Sequence, residues 1–181
     1  MKQFLISTLM VVLVFSCSDS DSDSNSPTDP TGSDSESNFL MVGDNTYVLA
    51  QGLLENYGAM AETGAVNLDL TLISEGIEVD WLNQTATGSG QVFYLEMFTS
   101  TEGFLDNGVY AYNNSLEATS WDYGEYASNW TNNCDDTCFI DINQGVVSVD
   151  RDGLNYTIEF QGFTVNDAAV SLHYSGTLTY I

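Results

Sequence analysis

Four large rings fall within ten residues of this chain, in Trp121-Asp122-Tyr123-Gly124-Glu125-Tyr126-Ala127-Ser128-Asn129-Trp130, interleaved with acids and amides. Such a mixture suits sugar recognition: flat faces stack on the apolar C–H surface of a pyranose while carboxylates and amides hydrogen-bond its hydroxyls. Trp121, Tyr123, Tyr126 and Trp130 are therefore candidate ligand-binding residues. A structural reading competes with this one. It makes Trp121 and Tyr123, two apart, core residues of one strand, with Tyr126 and Trp130 covering its end.

Just beyond lie Cys134 and Cys138, flanking Asp135-Asp136-Thr137. Two cysteines this close at a turn suit a short disulfide loop in an oxidising compartment. A metal reading of C-x₃-C is weak, because no second cysteine pair exists and His173 is the only histidine. Hard oxygen ligands suit Ca²⁺, and Asp135, Asp136 and Asp141 are the candidate calcium ligands, with Asp122 and Glu125 as additions. Their spacing is not that of an EF-hand.

Catalytic constellations are scarce. His173 alternates with Ser171 and Ser175 on what reads as the polar face of a strand, which predicts a solvent-facing imidazole. There is no G-x-S-x-G elbow and no glycine-rich loop followed by lysine. No lysine follows Lys2, so Schiff-base chemistry is excluded downstream of it. The pairs Glu78/Asp80, Asp122/Glu125 and Asp135/Asp136 could each serve a glycosidase. That mechanism depends on their separation in space, so spacing in the sequence singles out none of them. The expectation is a protein that is not an enzyme.

The elements that must position these residues alternate with period two. Val170, Leu172, Tyr174, Leu178 and Tyr180 point one way, and so do Leu154, Tyr156, Ile158 and Phe160, and Val66, Leu68, Leu70 and Leu72. Such alternation marks antiparallel strands with one buried face. Asp150-Arg151-Asp152-Gly153 reads as a hairpin turn, and the last three strands, about 145–150, 154–162 and 168–180, as a meander. Further strands are expected near 45–56, 90–99, 107–113, 119–127 and 138–142, with one helical turn at most over Leu53-Leu54-Glu55-Asn56-Tyr57. The fold class is all-β: a single antiparallel β-sandwich or β-barrel of about 8–10 strands over residues 39–181.

Charge narrows the partners. The chain carries 26 acids against Lys2 and Arg151, a net of −24. A domain this acidic repels phosphate backbones and anionic headgroups, so nucleic acid is excluded as a partner. Neither a cofactor nor a metal is required by any motif, calcium being the one cation the acids would suit.

The N-terminus carries the strongest signal of location. Met1-Lys2 is a positive n-region, Phe4 to Phe15 is an almost unbroken apolar run, and Val14-Phe15-Ser16-Cys17 ends it. About a dozen residues are too few to cross a hydrocarbon core that needs roughly 20, so the run reads as a removable signal peptide. Residues 18–38 alternate Ser and Asp, then carry Pro27, Pro30 and Gly32; a segment so poor in apolar groups is expected to be a disordered tether. Val14-Phe15-Ser16-Cys17 resembles a bacterial lipoprotein signal, and the acidic run after it resembles the surface-export signals of Bacteroidota lipoproteins. The segment Tyr47 to Gly58 and the C-terminal tail are similar in style to secreted β-proteins of that phylum. The resemblance implies signal peptide 1–16, lipidation at Cys17, a tether over 17–38, and an outer-membrane lipoprotein facing outward. It brings no activity. The function expected is a lipid-anchored surface protein, held to the membrane by its lipid, whose β-rich domain binds a glycan or other extracellular ligand. The alternatives are an adhesive protein with a protein partner, and a barrel holding a small apolar ligand.

Overall fold

The computed structural model describes residues 37–80, 83 and 85–181. The expected signal peptide, Cys17 and the expected tether through residue 36 lie outside the described residues. Among the described residues eleven strands are formed: β1 (Phe39–Val42), β2 (Asn45–Ala59), β3 (Val66–Ser74), β4 (Ile77–Asp80), β5 (Thr85–Thr99), β6 (Gly108–Tyr112), β7 (Ser120–Thr131), β8 (Phe139–Asp152), β9 (Asn155–Thr164), β10 (Ala169–Thr177) and β11 (Thr179–Tyr180). A 3₁₀ turn over Asp136–Cys138 precedes β8.

The sheet closes on itself. β1 hydrogen-bonds to β10 on one side and to β2 on the other, and the ring runs β1-β2-β3-β5-β7-β8-β9-β10 and back. Every contact around that ring is antiparallel. Two short strands complete it. β6 enters between β7 and β8, parallel to the first and antiparallel to the second, and β11 pairs in parallel with Leu53 and Leu54 of β2, beyond the reach of β1.

Eight strands enclose an interior that side chains just fill. In register across the wall, Leu68 faces Met97, Leu70 faces Leu95, and Leu72 faces Phe93, all with no exposed surface. Phe160 reaches across to Phe93, ring centroids 5.2 Å apart, and to Trp121 at 5.8 Å, both edge-on. These side chains form one buried cluster inside the ring of strands.

A second apolar cluster sits outside the barrel. Leu53, Ile73 and Ile77 are buried there, with Val79, Ala86, Val92 and Trp130 packed around them. The hairpin of β4 with the first residues of β5 makes this possible by bending where Gly76, Gly88 and Gly90 crowd together. Gly76 and Gly88 have φ of +92° and +100°, and a Cβ on Gly88 would lie 2.0 Å from the Gly76 carbonyl oxygen. Only glycine permits that approach.

Residues 53–57 continue β2 with no helical turn, within the limit of one that was expected. Other expectations are corrected. Segments 138–142 and 145–150 are one strand, β8, interrupted by a bulge between Ile142 and Gln144. The turn after β8 moves two residues on, so Asp152 pairs with Asn155, and Leu154 sits exposed at the tip instead of in the core. His173, expected to face solvent, is buried. Phe39 stacks on its ring at 6.2 Å, and Glu159, opposite it on β9, approaches Nδ1 to 3.8 Å. Neighbours on both flanking strands thus close over a position that alternation alone assigns to water.

Candidate functional site

The aromatic segment divides between two faces. A bulge between Glu96 and Met97 sets Trp121 opposite Met97 and Tyr123 opposite Glu96. The extra residue, Asp122, reverses the alternation. Trp121 is fully buried and Tyr126 nearly so, its ring 6.4 Å from that of Tyr47. Tyr123 is exposed and donates to Glu125 Oε2 at 2.8 Å, a bond that pushes the phenol up to about 12. Trp130 packs against the outer cluster. The four rings therefore make no common platform, and Trp121 and Tyr126 present no face to a surface ligand.

The acidic loop is also locally committed. Asp135 caps the 3₁₀ turn, its Oδ1 accepting from Thr137 N at 3.0 Å and Thr137 Oγ1 at 2.6 Å, which holds its carboxyl below the ordinary range. Asp136 is exposed, and Asp141 pairs across the strand with Glu125. Among the described residues no group of three or more His, Cys, Asp or Glu side chains is arranged to hold a metal ion, so the calcium expectation at Asp135, Asp136 and Asp141 has no ligand set. Cys134 and Cys138 lie at disulfide distance, their Cα atoms 5.8 Å apart. Glu78 and Asp80 are on β4, and Asp80 holds the following turn through Asn83 N and Nδ2.

Two concavities on the barrel's outer wall were not foreseen. The first is a saddle of about 500 Å³ across β1, β8, β9 and β10. The register explains it. Met41, Ser171, Gln161 and Val146 form one straight row across four strands, and Ala169, Phe163 and Gln144 form the next. Between the rows Gly145 pairs with Gly162. A Cβ on Gly162 would lie 2.5 Å from Phe160 Cζ and 2.2 Å from the Gln144 carbonyl oxygen. The ring of Phe160 thus fills the place of two missing side chains, and the wall dips over it. Phe163, Val146 and Met41 stay substantially exposed. None of the ten lining residues is charged, on a domain where residues 39–181 carry 20 acids.

The second is a groove of about 240 Å³ beside the outer cluster. Leu53, Thr71, Ile73 and Val92 form its floor, Ile77, Val79, Ala86 and Trp130 its wall, and Glu55 and Asp69 its acidic end. Here the register places Glu55, Asp69 and Glu96 directly opposite one another on β2, β3 and β5. Like charges so placed repel. Asp69 accepts from the Tyr94 hydroxyl, and Asn67 Nδ2 donates to Glu96 Oε1 at 2.5 Å. Asp69 Oδ1, Asn67 Oδ1 and Asp122 Oδ1 are buried without a hydrogen bond. Burial, opposed in part by the Tyr94 bond and reinforced by Glu96, Glu55 and Asp122, pushes the Asp69 carboxyl up to about 6. Burial and Glu96 raise that of Asp122.

No protein-family model, curated protein or solved structure matches the chain.

Proposed function

We propose that this chain is a lipid-anchored protein of the bacterial cell envelope, held by Cys17 and facing outward, whose barrel is a binding module without catalytic machinery. The ligand that the saddle suits best is a neutral glycan. The observation that carries this reading is an uncharged concavity on a strongly acidic wall, with one exposed ring among free amides and a hydroxyl. Phe163 offers a face for C–H stacking. The side chains of Gln144, Gln161 and Ser171 make no hydrogen bond within the described residues, which leaves them available to sugar hydroxyls. Gln144 lies opposite Phe163, and Gln161 opposite Ser171, so donors and acceptors flank the ring on two sides. The absence of charge argues against an anionic polysaccharide, which the remaining surface would repel. Among the described residues no helix is long and apolar enough to cross a membrane; a lipid at Cys17 would anchor the chain without one.

Affinity electrophoresis on a panel of neutral and acidic polysaccharides tests the proposal. Retardation by a neutral polymer that is lost in Phe163→Ala and weakened in Gln161→Ala is the expected result. Uniform mobility across the panel, or retardation unchanged in both variants, overturns it. Labelling of Cys17 by an alkyne fatty acid in living cells tests the anchor separately.

A further inference from the structure

We propose that the groove between the barrel wall and the bent β4–β5 hairpin binds a primary aliphatic ammonium, its alkyl chain on the apolar floor and its charged end at Asp69 and Glu55. The site is distinct from the saddle and does not depend on the glycan reading. Three observations converge on it. The groove is apolar along its length, with Leu53, Ile73, Val92 and Trp130 lining it, and acidic at one end only. Asp69 lines that end with 8% of its surface exposed, and its Oδ1 accepts no hydrogen bond. Its charged and titratable neighbours are Glu55 and Tyr57 from β2, Tyr94 and Glu96 from β5, and Asp122 from β7. None of them is a cation.

An ammonium supplies what is missing. It carries three donors and no acceptor, so it satisfies Asp69 Oδ1 and Glu55 together and cancels the repulsion along the row. A divalent metal fits less well, since among the described residues no three His, Cys, Asp or Glu side chains are arranged to hold one. A guanidinium would need a planar, two-oxygen partner, whereas Asp69 Oδ2 is already held by the Tyr94 hydroxyl. Arg151, the one cation of residues 37–181, is engaged elsewhere, 3.6 Å above the Phe104 ring and bonded to the Gly153 carbonyl oxygen.

The test uses the purified protein with n-hexylamine, n-butylamine, n-hexanol and Nα-acetyl-lysine methylamide, followed by calorimetry and by the Trp130 indole N–H resonance. Hexylamine is expected to bind saturably and to move that resonance. It should bind at least about tenfold more tightly than hexanol, because the ammonium makes charge-assisted bonds. It should exceed butylamine by about fifteenfold, at roughly fourfold for each of two buried methylenes. Asp69→Asn, which keeps the Tyr94 bond, is expected to weaken hexylamine by about tenfold, and Glu55→Gln by less. A stronger response to hexylamine assigns the site to free amines, and a stronger response to the lysine derivative assigns it to lysine side chains of a protein. Equal binding of hexanol and hexylamine overturns the proposal. So does an unchanged affinity in Asp69→Asn whose thermal melt shows it folded, or no saturation by about 10 mM.

Discussion

Replacing Asp69 by Asn should make this protein more stable near neutral pH, an unusual outcome for a buried polar residue. Burial and three neighbouring carboxylates move the Asp69 carboxyl from an ordinary 3.8 up to about 6. The folded state therefore holds the proton more tightly than the unfolded state does, and protonation stabilises the fold. That contribution is fully present below about pH 4 and is lost as the pH rises through about 6, so the ionised carboxylate strains the barrel above pH 7. About two units at 1.36 kcal/mol each set an upper bound of about 3 kcal/mol. Asn is nearly isosteric, keeps an acceptor for the Tyr94 hydroxyl, and brings a donor beside Glu55 and Glu96. Thermal unfolding of both proteins at about pH 8 should show Asp69→Asn melting roughly 5–10 °C higher, at 2–4 °C per kcal/mol for a domain of this size. At about pH 4 the two melting curves should converge, since the carboxyl is then neutral in both states of the parent. A variant less stable at pH 8, or an advantage that stays constant with pH, would refute the reasoning.

Three further outcomes follow from other parts of the barrel. Gly162→Ala should cost about 3 kcal/mol in chemical denaturation, because its Cβ meets Phe160 inside and the Gln144 carbonyl outside; a loss below about 1 kcal/mol would mean that the saddle floor yields easily. Asp106→Ala should cost about 2 kcal/mol. Although burial raises its carboxyl, hydrogen bonds from Ser100, Thr101 and Thr99 lower it to about 2, so this contribution is present above about pH 4 and fades as the pH falls toward 2. Replacing Cys134 and Cys138 by Ser should lower stability by about 2 kcal/mol at most, since the loop they close is so short. A larger loss would mean that the loop also holds β7 and β8 together.

Period-two alternation carried most of the fold into the sequence. Leu68, Leu70 and Leu72, or Ile158 and Phe160, point where their spacing says, and the strand count follows from them. Closure of the sheet was not legible, since it rests on β1, four residues long, bonding both to the adjacent β2 and to β10, about 130 residues further on. The candidate site was legible only where alternation persisted. One extra residue at Asp122 turned Trp121 inward and left Tyr123 outside, and nothing in Trp-Asp-Tyr marks a bulge. The saddle needed two glycines 17 positions apart to meet. A weak signal for it did exist: Gln144-Gly145 and Gln161-Gly162 repeat one dipeptide in neighbouring strands.

The acidic row was hidden for the same reason, because Glu55, Asp69 and Glu96 become neighbours only through register. It also places its cost in one spot. Cross-strand acids opposite one another stabilise nothing, and each such pair costs a few tenths of a kcal/mol or more. Three in line beside an apolar groove are a local conflict in an otherwise consistent barrel, and conflicts of this kind gather at functional sites. If the charges act as one unit, removing either of two relieves the same repulsion. Glu55→Gln and Asp69→Asn should each stabilise the protein at about pH 8, and the double variant should gain less than their sum by about 0.5–1 kcal/mol. Strict additivity in denaturant unfolding would mean that each carboxylate is strained by its own burial alone. The ammonium proposed for the groove would then have one charge to neutralise and no row to bridge.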